Sequence, residues 1–547
     1  MHSIEIVLAM LLAVAASGFL VRVLPFSLPL PLVQIGLGAV ISFFNRGVDL
    51  DPELFFLLFL PPLLFLDGWR IPKQGLFRDK GVILELALGL VVFTVLGAGF
   101  LIHWMIPAMP LPVAFALAAI ISPTDPVAVS SIASRAPIPK RLLHILEGES
   151  LLNDASGLVC FQFAVAAMLT GSFSLANASV TFIWVALAGF ACGVGVTYAV
   201  NILQRWIARH FGEEGGSSIL VSLLIPFAAY VLAEVVHASG ILAAVAAGIT
   251  MSYVELSGRA GASVRIQRTA VWDMVQFTLN GIVFTLLGEQ LPGILDNAMR
   301  SVDEAGHLDP WWLAVYVGAI SFGLMLLRFI WVWLSLRWSI LKARARGETR
   351  ASPNWRIIVA TSLAGVRGAI TLAGVLTLPL ALTDGTPFPA RDLAIFLAAA
   401  VIMVSLMVAA IALPRLLRNL HVPEESDEQH EEDLARKSAA RAALVAVEGE
   451  RQRLAATSDL VEDGELFTTC AERVSQLYQR HVDRLGGEAD IAPEQARRIE
   501  QVERQMRLAG IRAERAELFR LARERKISDE VSRKLVRNLD LLETRQR

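Results

Sequence analysis

Thirteen mostly apolar runs, many close to twenty residues long, occupy the first 420 residues of this chain and leave little room for a soluble fold. They lie at about 4–24, 28–44, 54–68, 82–104, 112–133, 146–170, 179–204, 217–236, 240–254, 271–290, 311–338, 356–379 and 393–417. A helix needs about 20 apolar residues to cross the hydrocarbon core of a bilayer. Helices also satisfy their own backbone polar groups, which lipid cannot do. The expected fold class is an all-α polytopic membrane protein. The 55% hydrophobic content and mean hydropathy of +0.55 agree with it. Charge is concentrated elsewhere: residues 421–547 hold 23 of the 49 Lys and Arg and 27 of the 51 Asp and Glu. Two regions follow, a membrane domain over 1–418 and a soluble tail over 419–547. The first run lacks a basic leader and is long enough to remain in the membrane, so it is read as a span.

Basic residues in the connections set the orientation. One set of loops holds Arg70, Lys73, Arg78 and Lys80, then Arg135, Lys140 and Arg141, then Arg205 and Arg209, then Arg259, Arg265 and Arg268. Arg337, Lys342, Arg344, Arg346, Arg350 and Arg356 fall on the same side, whereas the opposite loops offer only Arg46, Arg300 and Arg391. The positive side is cytoplasmic, so the N-terminus is expected outside and the tail inside. Thirteen spans also allow two oppositely oriented six-span halves, 1–6 and 8–13, with span 7 as connector. Inverted repeats of this kind bring discontinuous helices together near the midplane.

Spans 5 and 12 hold matching places in the two halves, and both carry helix-weakening sequence. In span 5, Pro123 and Pro126 bracket Thr124-Asp125, and proline removes a backbone donor while crowding the preceding turn. In span 12, Gly365 and Gly368 flank Arg367 and ease irregular backbone. Broken helices are expected to cross here, presenting half-helix ends to an ion.

The densest polar constellation runs from 119 to 154. An ionisable side chain at mid-membrane costs roughly 2.5–3.5 kcal/mol on insertion scales, so each one marks a functional candidate. Ser150 and Asp154 share one face of span 6, and Glu149 and Asn153 share its neighbour. Asp154, Asp125, Ser150 and carbonyls freed near Thr124 can form a small oxygen-lined cation site, the ligand type hard cations favour. A carboxylate that binds either a proton or a metal ion, and crosses only when occupied, is sufficient for exchange. Arg367 needs an anionic partner because guanidinium stays charged. Glu149 is the expected partner, with Asp154 and Glu147 as alternatives.

Other charged positions carry less information. Asp67 ends span 3 beside Trp69 and Arg70, which read as interfacial anchors with a possible place on the ion pathway. Glu85, Glu234, Asp273 and Glu289 are read as solvated boundary groups, and Arg328 in span 11 has no partner assignable from sequence. Cys160, Cys192 and Cys470 have neither metal-site nor disulfide-framework spacing.

These motifs resemble the monovalent cation:proton antiporter-1 family, bacterial sodium/proton exchangers related to those of animals. The resemblance is carried by LPPLLFLDGW at 60–69, SPTDPVAV at 122–129, EGESLLNDASGLV at 147–159, SGILAAVAAGI at 239–249 and GVRGAITLAGV at 365–375. It implies a secondary transporter rather than an enzyme, without a cofactor, exchanging cytoplasmic Na+ (or Li+ or K+) for external H+. By that resemblance Asp154 is the essential ion- and proton-binding aspartate. Asn153 goes with electroneutral one-for-one exchange, Thr124 and Asp125 sit at the unwound crossing, Ser150 is a cation ligand, and Glu149 with Arg367 is a structural ion pair. Na+ would be held by Asp154, Asp125, Ser150 and Thr124. The resemblance further implies a homodimer in the bacterial inner membrane. A moving core of about 82–170 and 311–418 would work against a scaffold of about 4–68 and 179–290. One position departs from the pattern: some members carry Glu directly after PPLLF, where this chain has Leu66 and then Asp67. One residue turns a helical side chain by about 100°, so Asp67 is expected off the ligand direction.

The tail shows helical spacing over 492–521 and 528–542, with a break at Gly486-Gly487 and Pro493. No nucleotide-binding glycine motif or metal cluster appears in it, and nothing points to nucleic acid. A helical, regulatory tail with a cytoplasmic partner is expected. Competing readings for the whole chain are a K+/H+ antiporter, an ion channel and an intramembrane aspartyl protease. The protease reading lacks a Gly-x-Gly-Asp segment, and broken opposed helices suit alternating access better than a channel.

Overall fold

A computed structural model describes residues 2–23, 28–44, 52–71, 80–125, 140–170, 175–212, 214–255, 262–304, 311–345, 355–382, 385–417, 426–457, 463–486 and parts of 506–543. Among them the secondary structure is helical, with one isolated bridge between Ala381 and Pro387. The chain divides into two units, 1–422 and 423–547.

The first unit contains α1 (His2–Val23), α2 (Leu30–Phe44), α3 (Pro52–Arg70), α4 (Lys80–Met105) and α5 (Leu111–Ile121). Next come α6 (Lys140–Thr170), α7 (Leu175–Phe211), α8 (Gly215–Val235), α9 (Gly240–Glu255) and α10 (Ala262–Glu304). It ends with α11 (Trp311–Ala345), α12 (Trp355–Leu363), α13 (Ala369–Leu376) and α14 (Arg391–Leu417). Eight of these are long and apolar enough to cross a bilayer, and α2, α5 and α9 contain shorter apolar stretches. Several helices outrun their apolar runs. α10 extends to 262 and 304, and α11 reaches Ala345, because helix geometry continues through amphipathic ends that hydropathy does not register.

The helices pack in two groups. α1–α3 and α7–α10 pack chiefly on one another, as do α4–α6 and α11–α14. Between the groups, α10 meets α14, while α3 meets α13 and α6. Within the first group three helix pairs touch backbone to backbone, α7 meeting α9 where a Cβ on Gly193 would lie 2.1 Å from the Ala243 oxygen. A Cβ on Gly38 of α2 would lie 1.9 Å from the Thr285 carbonyl oxygen of α10, and one on Gly288 1.9 Å from that of Ile35. A Cβ on Gly248 of α9 would lie 2.0 Å from the Phe65 oxygen of α3, and one on Gly68 2.5 Å from that of Val245. Small residues permit this approach, which is how helices gain packing energy in lipid.

In the second group the helices are interrupted. α4 contains a π-helical turn over Glu85–Leu90, and Ser156 of α6 donates to the Ala87 carbonyl there at 2.6 Å. α5 stops at Ile121, and Ser122 to Asp125 leave the helix; Pro126 and the remainder of span 5, to 133, lie outside the described residues. α12 stops at Leu363 and α13 begins at Ala369, with a non-helical stretch over 365–368. The two breaks bind each other. The Asp125 N–H donates to the Val366 oxygen at 2.7 Å, and Arg367 Nε donates to the Ile121 oxygen at 2.8 Å. Broken backbone away from water needs such partners. α14 closes the arrangement, its Ser405 hydroxyl accepting from the Arg367 N–H at 3.1 Å. Two-thirds of the apolar window of α14 (67%) is buried, against 17% for α7, so α14 is central and α7 peripheral.

The second unit contains α15 (Ser426–Thr457) and α16 (Asp463–Gly486), which pack on each other. Residues 510–521 are also helical, and Arg515 pairs with Glu543. Gly487 and Pro493, expected to mark a break, fall outside the described residues, as does most of 528–542.

Candidate ion-binding site

The crossing of the two breaks borders a small cavity of about 30 Å³, enough for one water molecule. The broken strand of span 5 contributes Pro123, Thr124 and Asp125, and α6 contributes Ser150 and Asp154. From α3 come Leu63 and Asp67, from α10 Gln276 and Asn280, and from the α13 side Gly368 and Thr371. Three carboxylates and several neutral oxygens line this space, and no Lys or Arg does. A cluster of acidic groups at low dielectric attracts cations. Among the described residues, no three His, Cys, Asp or Glu gather at the spacing of a tight metal site. Mixed carboxylate and hydroxyl oxygens are the ligand type that hard cations favour.

Behind the cavity a buried hydrogen-bond chain fixes Thr124. Its hydroxyl donates to Glu149 Oε1 at 3.3 Å and accepts from Asn153 Nδ2 at 3.1 Å. A hydroxyl has one donor and two acceptor positions, so one oxygen lone pair remains available. Glu149 and Asn153 are each 1% exposed and do not line the cavity themselves. Gly368 is required by close approach, since a Cβ there would fall 1.9 Å from Asp125 Oδ2.

The expected Glu149–Arg367 pair does not form. Arg328 of α11 grips Glu149 with both terminal nitrogens, Nη1 to Oε1 at 2.5 Å and Nη2 to Oε2 at 2.7 Å. Its Nε donates to the Thr361 oxygen at 3.2 Å, which ties α11 to α6 and α12 together. Arg367 is instead spent on the carbonyls of Ile121 and Gly365, so it serves the helix crossing itself. The alternatives considered from sequence for Arg367 do not hold either, because neither Glu147 nor Asp154 bonds to it. The direct sequence signal for Arg328 was only its charge in an apolar run.

Two further expectations are corrected. Asp67 lines the cavity after all: Leu63, four residues earlier on the same face, lines it too, whereas Leu66 is buried against the α8–α10 cluster. The face that meets the cavity in α3 is therefore the 63/67 face. Glu289 is 3% exposed inside α10 rather than at a solvated end, because that helix continues for another fifteen residues. Asp273 is exposed and pairs with Arg70, which also donates to Gln276 Oε1 at 2.7 Å. Glu147 is partly buried and does not line the cavity. Gln276 and Asn280 were missed by sequence reading; two amides four apart within an apolar run were the available signal.

Residues 7–419 match the family model described as the transmembrane sodium/hydrogen exchanger. The chain belongs to that family. It is 44% identical to an uncharacterised Na+/H+ exchanger of Escherichia coli, over 98% of this chain and 97% of the other. It is 39% identical to a sodium, potassium, lithium and rubidium/H+ antiporter of Bacillus pumilus, over 98% of this chain and 77% of that one. In fold it resembles the sodium proton antiporter of Methanocaldococcus jannaschii at pH 8, with a TM-score of 0.58 at 18% identity, covering 77% of this chain and 99% of the other. This exchanger is thus a multi-pass membrane protein and a cation/proton transporter. Its acid-lined cavity lies within the matched residues.

Proposed function

We propose that this exchanger moves cytoplasmic Na+ outward against inward H+, one for one, by competition of the two ions for Asp154. The observation that carries the reading is the cavity where Asp154, Asp125 and Asp67 meet the Ser150 and Thr124 hydroxyls with no basic residue among the lining. A dehydrated monovalent cation and a proton both neutralise that charge, and each displaces the other. Asp154, Asp125, Ser150 and Thr124 hold the cation, and Asn153 keeps Thr124 oriented while adding no charge of its own. Glu149 and Arg328 brace the site, and Arg367 locks the crossing.

The cavity sits where the α4–α6, α11–α14 group faces α3 and α10. This placement supports alternating access in which that group moves as a core against the other as scaffold. Inverted repeats of spans 1–6 and 8–13 gain support from the glycine contacts. Under the repeat, span 2 corresponds to span 9 and span 3 to span 10, so the α2–α10 contact and the α9–α3 contact are equivalents, and each uses one glycine from either helix. A homodimer in the bacterial inner membrane, N-terminus outside and tail cytoplasmic, completes the reading.

In inverted membrane vesicles, Na+ should dissipate a preset pH gradient, and Asp154→Asn should reduce this to background. Exchange surviving in a correctly inserted Asp154→Asn protein overturns the assignment. A rate that responds to imposed membrane potential contradicts one-for-one exchange. K+ is a second reading, favoured by the naming of the Bacillus pumilus relative as a potassium as well as sodium antiporter; dissipation by K+ at equal concentration decides it.

A further inference from the structure

A second cavity, about 590 Å³, opens where the ends of α7, α8, α9 and α10 come together. That volume falls within the range of small-molecule sites. We propose that it binds the phosphate group of an anionic phospholipid.

Three arginines reach it. Arg268 of α10 is 4% exposed; its terminal nitrogens bond to Glu255 at 2.8 Å and to the Ser218 hydroxyl at 3.2 Å, but its Nε–H has no hydrogen-bond partner. Glu255 is itself occupied, since it also accepts from Trp69 Nε1 at 2.8 Å. Arg205 and Arg209 line the cavity one turn apart on α7 and have no carboxylate partner among the described residues. The first turn of α8 completes the wall. Its N-cap residue makes no side-chain cap bond, and Ser217 and Ser218 bring the positive end of this 21-residue helix to the same space. Glu214 is the remaining acid in the lining, and it is exposed.

Two guanidiniums without a carboxylate partner among the described residues, beside the positive end of a helix, call for an anion with several acceptor oxygens, and phosphate supplies them. The apolar surroundings select a lipid as its carrier. Trp206 and Phe211 at the end of α7 are 53% and 78% exposed, an arrangement suited to acyl chains beside a headgroup at the membrane interface. Basic pockets between helix ends are known chemistry for such headgroups.

The test uses full-length protein, delipidated in detergent, with lipid binding followed by native mass spectrometry and by thermal midpoint. Phosphatidylglycerol should bind and raise the midpoint, while phosphatidylcholine should not. Arg205→Gln with Arg209→Gln should weaken phosphatidylglycerol binding about 30-fold, corresponding to about 1 kcal/mol per arginine near an anionic surface. Glu214→Gln, which removes the opposing charge, should strengthen it. Both variants leave the ion cavity untouched, so Na+/H+ exchange at saturating lipid should persist and report intact folding. Equal binding of both lipids, or no change in the double variant, overturns the proposal. Inorganic phosphate competing at the same concentration as the lipid overturns the choice of carrier. Arginine variants that shift the subunit stoichiometry without altering lipid binding would identify the face as a contact between copies.

Discussion

The two helix groups of the membrane unit solve the problem of packing in lipid in opposite ways. In α1–α3 and α7–α10 the helices are continuous across the contacts, and backbone meets backbone through single glycines. In α4–α6 and α11–α14 the helices are interrupted, and the packing is held by buried polar bonds: Arg328 to Glu149, Thr124 and Asn153 in line behind it, and Arg367 on two carbonyls. The first arrangement tolerates no added volume but contains little chemistry. The second exposes half-helix ends and carboxylates to a cavity, and Arg367 and the paired breaks supply partners for the Ile121, Gly365 and Val366 carbonyls. The proposed ion site lies in the polar group, with α3 and α10 supplying the facing wall of its cavity.

The contrast breaks most visibly at Arg328. Removing one member of a buried ion pair costs about 3–5 kcal/mol, so Arg328→Gln should lower the thermal midpoint strongly. In a double-mutant cycle, Glu149 should couple to Arg328 near the top of the roughly 0.5–3 kcal/mol range for residues in one network, and less to Arg367. Stronger coupling to Arg367 would restore the pairing expected from sequence.

Adding one methyl group probes both regions alike. Gly288→Ala should destabilise the protein by about 1–3 kcal/mol, the usual cost of overpacking, and leave the cation affinity of the surviving protein unchanged. Gly368→Ala should displace Asp125 instead and cut exchange by about 100-fold, the scale associated with misplacing a reacting group by 1 Å. If both changes act only on the unfolding midpoint, the functional division between the regions fails.

A smaller effect is expected where the regions face each other. Asn280→Ala removes one neutral oxygen from the α10 wall of the cavity and should weaken apparent Na+ affinity about 5-fold, equivalent to one net hydrogen bond of about 1 kcal/mol. An unchanged Na+ dependence would confine the site to the broken helices.

The smallest effect is expected at Glu448 in the tail, which is fully exposed. Hydrogen bonds from Arg451 and Gln452 lower the Glu448 carboxyl from 4.5 to about 2. Its folded pKa is depressed, so its contribution to α15 is complete above about pH 4.5 and disappears as pH falls through 2. Being fully exposed, the pair is screened by water and salt. Carboxyl NMR of Glu448 tests this, and an ordinary titration near pH 4.5 would show that the pair does not hold in solution.

Much of the membrane unit was legible in the sequence because its signals are local. Apolar runs announce helices in lipid, Pro123 and Gly365 announce interruptions, and a carboxylate such as Asp154 within an apolar run announces function wherever the chain goes next. The rotation of α3 was not legible: Asp67 and Leu66 differ by one residue, and only the packing of Leu66 against α8–α10 shows which face meets the cavity. Asn280 reads as an ordinary polar residue until α10 is seen opposite the crossing.

The chain by itself therefore determined that it crosses membranes, where its helices break, and which acids sit among apolar residues, since composition and backbone stereochemistry act within a few residues. Only the tertiary structure decided which arginine meets Glu149. Arg328 and Arg367 carry the same charge, and Arg328 lies 179 residues from its partner. Inter-helix distance and rotation select between them, and those depend on the packing of every helix in the group.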